Sequence, residues 1–264
     1  MPLKLPAIDA EPIELDAYRR YIEAHGDFRD PDSLIRSAPM LQRLAANRPF
    51  LGDLMVDALV RGGDQFQAGN RYNYQSMILA VTDDYLIRAN FWMPEHRLST
   101  QSDHESRAFG YGIGHNHNFH LLTVGYFGAG YETDLCRLAD PERVYAVGET
   151  AEMQPIGRWQ LGLGEVMFYE AFADVHVQNP PRELSVSLNL MTHSTRDAMP
   201  QFMFDMRTGS VQSLVDSPLD ARIHLLTTAR LLRATEADAA LRHVAETDTS
   251  PRLRQLAQAA LREG

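Results

Sequence analysis

The chain opens on apolar positions at helical spacing. Leu15, Tyr18 and Ile22 lie three and four residues apart, one face of a helix that Gly26 ends. A second helix is expected over 33–46. Leu51, Leu54, Met55, Ala58 and Leu59 mark a third, stopped by Gly62 and Gly63. After Gly69 the pattern turns to alternation. Residues 72–81 and 85–92 read as a hairpin that turns at Asp83 and Asp84. Residues 93–107 are polar, carry Pro94, His96 and His104, and read as a long loop that could serve as a lid.

Residues 113–126, 131–138, 164–172 and 184–190 read as further strands. Residues 202–215 read as a last hairpin turning at Thr208 and Gly209. Short strands punctuated by Gly, Pro and Asp predict an antiparallel sandwich or barrel. From Ser217 the helical period returns. Ser217 with Pro218 reads as an N-cap and first turn, followed by Leu219, Ile223, Leu226 and Ala229. Thr235 with Asp238 resembles a capping box, and Ser250 with Pro251 starts a helix that turns Leu253, Leu256, Ala257, Ala260 and Leu261 inward. The expected organisation is a helical segment over 1–68, a β core over 69–215 and a helical segment over 216–264, packed as one unit.

Length and charge narrow the function classes. At 264 residues the chain can bury a sizeable core. The formal net charge is −10 and no run of Lys or Arg stands out, so neither nucleic acid nor membrane is expected as a partner. A single cysteine, Cys136, cannot build a disulfide framework. The N-terminus has no apolar core of signal-peptide length, and a cytoplasmic location is expected.

The chemistry concentrates in Gly114-His115-Asn116-His117-Asn118-Phe119-His120, within the expected strand 113–126. Side chains alternate along a strand, so His115 and His117 share a face and both can reach one ion. Glycines precede them at 110, 112 and 114, and a glycine turn follows at 125–130. A later apolar segment carries one isolated histidine, His176, in Asp174-Val175-His176-Val177-Gln178. By alternation His120 faces away, a packing position, and a β-bulge near Phe119 would turn it inward as a fourth ligand. Asn116 and Asn118 are expected on the other face, bonded to backbone or loops.

These residues resemble the cupin superfamily. Its first motif is a glycine, HxH, often a glutamate, and a glycine; His115, His117 and Gly128 match it. His176 matches the second-motif histidine. The resemblance covers 77–191 and implies a mainly β fold, a cupin-type antiparallel β-barrel or jelly roll flanked by N- and C-terminal helices. Leu121 or Leu122 stands where the glutamate would fall, and the proline and glycine that usually precede the second histidine are missing. A site of three histidines resembles the thiol dioxygenases, the cysteine dioxygenase family. That family's Ser-x-His-x-Tyr triad falls on Ser187, Asn189 and Met191, of which only the serine matches.

Imidazole ligands suit Zn, Cu, Fe or Ni, and the resemblance implies Fe(II). Asn118, Gln178 and Glu170 are candidates to hold the ligands' other ring nitrogens. Arg88 and Arg71 are candidates to fork a substrate carboxylate. Tyr126, Tyr131 and Tyr169 could give a proton or hydrogen bond, and the resemblance adds Ser187, the matching serine of the triad, as a catalytic candidate. Cys136 reads as a buried apolar residue, or as a partner in the thioether crosslink to tyrosine that some thiol dioxygenases carry. His25, His193, His224 and His243 read as structural or exposed.

The leading expectation is an iron oxygenase that acts with O₂ on a small polar metabolite of amino-acid, thiol or carboxylate type, with a homodimer possible. One alternative is a Zn, Mn or Ni enzyme acting as an isomerase, lyase or hydrolase. Another is a ligand-binding cupin with no catalysis. A 2-oxoglutarate oxygenase would need a carboxylate where His117 stands.

Overall fold

The computed structural model describes residues 2–61, 67, 70, 75–97, 109–193, 200–215, 218–248 and 251–262. Arg71, Tyr72, His104, Ser217 and Ser250 lie outside the described residues, as does most of the expected 93–107 loop.

The N-terminal segment folds as α1 (Leu15–His25), α2 (Pro31–Arg36), α3 (Ala38–Ala46) and α4 (Phe50–Arg61). The single helix expected over 33–46 is thus two. Pro39 has no N–H, and its ring would press on the carbonyl of Ile35 four residues back, so the helix breaks at Ser37. Asp30 starts α2 by accepting the N–H of Asp32.

The described residues form twelve strands, one before these helices and eleven after them. In chain order they are β1 (Leu3–Leu5), β2 (Ser76–Val81), β3 (Tyr85–Trp92), β4 (Gly114–His115), β5 (Leu121–Phe127), β6 (Tyr131–Leu138), β7 (Met153–Leu161), β8 (Val166–Tyr169), β9 (Asp174–Gln178), β10 (Ser185–Thr192), β11 (Gln201–Phe204) and β12 (Val211–Val215). They form two antiparallel six-stranded sheets, in the orders β1-β8-β5-β10-β3-β2 and β12-β11-β4-β9-β6-β7. The architecture is an open β-sandwich, one of the two forms expected above; the two sheets do not close into a barrel. The run 113–126 is not one strand: β4 belongs to the second sheet, β5 to the first, and residues 116–120 cross between them. The run 164–172 shortens to β8, and β9 follows it in the opposite sheet.

Each face of the first sheet has its own composition. Tyr85, Ile87, Ala89, Leu122, Val124, Tyr126, Val166, Phe168, Leu188 and Leu190 point outward and pack on Tyr18, Ile22, Leu34, Leu41, Leu44 and Leu51 of the helices. The residues between them turn toward the second sheet, and many are polar: Arg88, Asn90, Thr123, Ser187 and Asn189. All eight positions of β10 are buried because helices cover one face and the second sheet the other. The polar inner face is the first sign that the space between the sheets holds a site and not only a core.

The C-terminal segment forms α5 (Pro218–Leu231), α6 (Ala237–Thr247) and α7 (Pro251–Arg262). These pack on one another around Ile223, Leu241, Val244, Leu253, Ala257 and Ala260. The expected capping box is absent there: Glu236 is the N-cap of α6, and Asp238 instead accepts from Arg230 at 2.6 Å. No helix among the described residues is long and apolar enough to cross a membrane.

Candidate metal centre

β4 is two residues long and is held from both sides. His115 is Cα partner to Met203 of β11 and to His176 of β9. Gly114 is required by that fit, since a Cβ there would come within 2.8 Å of the Phe204 carbonyl oxygen and 2.6 Å of the Met206 side chain. Asn116 pins the crossing segment. Its amide donates to the Phe172 carbonyl at 3.0 Å, and its Oδ1 accepts from the Phe202 N–H at 2.8 Å.

This framework brings His115, His117 and His176 together. One ring nitrogen from each lies within 4.8 Å of the other two. Ring centroids are 4.4 Å apart for His115 and His176, and 4.9 Å for His117 with either. His115 Nδ1 lies 2.9 Å from the Ile113 carbonyl, which fixes the proton on that nitrogen and leaves Nε2 with a free lone pair. His117 Nδ1 lies 3.1 Å from Gln201 Oε1 and is fixed in the same way. His176 is fully buried, and neither of its ring nitrogens has a hydrogen-bond partner. A buried imidazole with both nitrogens idle is costly unless one of them ligates. The three residues therefore fit a divalent metal ion, and neutral nitrogen donors suit a transition metal or zinc.

Burial holds all three imidazoles neutral. It pushes His115 below its ordinary value and His117 and His176 well below, and the neighbouring rings push His117 and His176 further. Arg88 adds to the effect on His115 and His117. Neutral imidazole is the form that binds metal.

His115 and His117 face a pocket of about 250 Å³. Arg88, Asn90, Trp92 and Asn189 of the first sheet line its far wall, and Gln75, Phe109, Leu121, Tyr131 and Gln178 close it round. Among the described residues that line it there is no Asp or Glu. Tyr131 is buried, and burial raises its phenol to about 12 against the hydroxyls of Thr123 and Ser187 and the charge of Arg88, which lower it. Tyr169 packs its ring 4.7 Å from that of His176, and burial raises its phenol well above the ordinary value. Ser187 accepts the Trp92 indole N–H at 3.0 Å.

Other expected site residues lie elsewhere. His120 is not one of the three grouped histidines: its Nδ1 accepts the Ala171 N–H at 3.1 Å and its ring stacks on Phe168, a residue of the helix-facing core. Strict alternation fails across the sheet crossing, yet it gives the right side for this residue. Tyr126 also lies in that core, its hydroxyl between the carbonyls of Asn47 and Arg48 and the N–H of Leu51. Glu170 is bound to Arg137 at 2.8 Å. Cys136 packs with Leu138, Val175 and Phe202, apart from the pocket lining. Arg71 falls outside the described residues. Sequence reading missed Gln201, Asn90, Gln75 and Trp92. Their approach to the histidines depends on sheet register, which a single sequence does not reveal.

No family model and no curated protein matches the chain. Among solved structures it is similar to a hydroquinone 1,2-dioxygenase from Sphingomonas sp. TTNP3 with 4-hydroxybenzoate bound, at 13% identity and TM-score 0.32, over 48% of this chain and 71% of that one. It is also similar to a DMSP lyase from Ruegeria pomeroyi DSS-3, at 11% identity and TM-score 0.29, over 74% and 79% of the two chains. A structure described as DMSP lyases RdDddP and RnDddQII gives 16% identity and TM-score 0.25, over 46% and 48%. Likeness at these scores assigns no reaction.

Proposed function

We propose that the protein is a mononuclear metal enzyme, an iron(II)-dependent oxygenase acting on a small polar metabolite of amino-acid, thiol or carboxylate type. The observation that carries this reading is the group of three neutral imidazoles, His176 buried and His115 and His117 half-buried, with no carboxylate grouped with them among the described residues, beside a pocket lined by Arg88. His115, His117 and His176 would hold the ion, which when bound supplies redox chemistry with O₂ and open positions for substrate. Three neutral ligands leave the ion's charge uncompensated, so an anionic substrate group is favoured there.

The chain's own residues divide the remaining work. Arg88 meets a negative substrate group. Tyr131 and Tyr169 stay protonated because burial raises their phenols, so they donate hydrogen bonds and do not act as bases. Trp92, Phe109 and Leu121 supply apolar surface for the rest of the substrate.

The test is oxygen uptake. Protein reconstituted with ferrous iron under anaerobic conditions is exposed to O₂ with a panel of amino acids, thiols and hydroxycarboxylates, beside the zinc form. Substrate-dependent O₂ consumption by the iron form alone is expected. Turnover of a panel member by the zinc form with no O₂ consumed would contradict the oxygenase reading in favour of Lewis-acid chemistry.

A further inference from the structure

The wall opposite the histidines carries a donor that the protein itself leaves unused. Asn189 is 2% exposed and lines the pocket, and its Nδ2 has no hydrogen-bond partner. Its orientation is set from behind. The Trp92 indole can only donate, and it gives its N–H to Ser187 Oγ at 3.0 Å. The Ser187 hydroxyl in turn donates a hydrogen bond to Asn189 Oδ1 at 3.4 Å. With its oxygen engaged in this way, Asn189 keeps its NH₂ group buried and without a partner. Buried amide donors are rarely left without an acceptor, so the pocket ligand is the natural source of one.

Arg88 stands next to it. Arg88 and Asn189 are Cα partners across the β3–β10 ladder and line the same pocket. A guanidinium and an amide NH₂ side by side present a charge and a second donor to one planar, two-oxygen acceptor. At about 250 Å³ the pocket falls below the usual range for drug-sized ligands, roughly 300–1,000 Å³, so that acceptor belongs to a small molecule.

We propose that Asn189 is a specificity-determining residue which, held by Ser187 and Trp92 and paired with Arg88, seats the carboxylate of a small monocarboxylate substrate. The proposal rests on the functional reading above in placing the substrate in this pocket. It adds the group that the pocket recognises and a residue that recognises it.

The chain has two tryptophans, Trp92 in the pocket wall and Trp159 elsewhere. Trp159→Phe therefore makes Trp92 the sole fluorescent reporter. In that background propionate and its neutral analogue propionamide are titrated, with bound metal and melting temperature measured on the same samples. Propionate is expected to bind at least about tenfold more tightly than propionamide. Asn189→Ala is expected to weaken propionate by about 10- to 100-fold, the range for a lost hydrogen bond to a charged group. Asn189→Asp, which keeps the shape and replaces the donor by a negative charge, is expected to weaken it further. Ser187→Ala, which only loosens the amide, is expected to weaken it less. Propionamide affinity and metal content are expected to hold in all three. Equal affinities for the two probes, or a propionate affinity untouched in both Asn189 variants, would overturn the proposal. A parent protein that holds no metal would count against the metal enzyme, while the propionate ratios would still decide the carboxylate seat.

Discussion

His115 faces His176 directly across the β4–β9 ladder, Cα partner to Cα partner, with ring centroids 4.4 Å apart. Two residues 61 positions apart in sequence thus stand on neighbouring strands with their rings on one side. His117 joins them from just beyond the end of β4, where Phe172 N–H binds its carbonyl oxygen at 2.6 Å. The centre is built on backbone pairing, so the ligands are placed before any ion arrives.

Gln201 holds the idle nitrogen of His117. Replacing such an orienting partner typically costs 10- to 100-fold in metal affinity. Gln201→Ala is expected to lower the affinity by about tenfold in competition with a chelator, with little change in melting temperature. An unchanged affinity would show that His117 needs no such partner.

Stability should fall in mild acid. His115, His117, His120 and His176 all have lowered pKa values, chiefly through burial. Below their ordinary value of 6.5 the unfolded chain takes up protons that the folded chain refuses. Metal-free protein should therefore lose stability as pH falls from about 7 toward 5, by up to about 1.4 kcal/mol per pH unit for each histidine. Asp174 works in the opposite direction. Burial raises it from 3.8 to about 6, so between those values the folded state binds the extra proton and gains stability as pH falls. Four histidines outweigh one carboxyl. Urea unfolding in the presence of a chelator at pH 7.5, 6.5 and 5.5 measures the slope, and a flat profile would mean that the rings are protonated in the fold.

Tyr126 ties β5 to the junction of α3 and α4 through Asn47, Arg48 and Leu51. Tyr126→Phe is expected to cost about 1–2 kcal/mol in chemical denaturation and to leave metal content unchanged. Loss of metal at full stability would put the phenol in the site after all.

How far the sequence reveals this molecule depends on what each residue contacts. β3, β6 and β10 are legible because turns of Asp, Gly or Pro bound them. β1 is three residues long and pairs with β8, far away in the chain, so no local pattern marks it. β7 is an edge strand, mostly exposed or half-buried, and its side chains carry little apolar alternation. The break between β4 and β5 is hidden because Asn118, Phe119 and His120 suit a strand as well as a crossing. His115 and His117 are legible from a period of two, and His176 from its isolation in an apolar run. Gln201, Asn90 and the unused amide of Asn189 gain their meaning only from register and from the opposing sheet.

The most direct test of the central claim is elemental analysis of the purified protein beside His176→Ala and His115→Ala, with melting curves for each. About one equivalent of a divalent transition metal in the parent is expected, lost in both variants while they remain folded. A parent that binds no metal, even after anaerobic reconstitution with iron, zinc and manganese, would contradict the account and leave three idle histidines in a binding pocket.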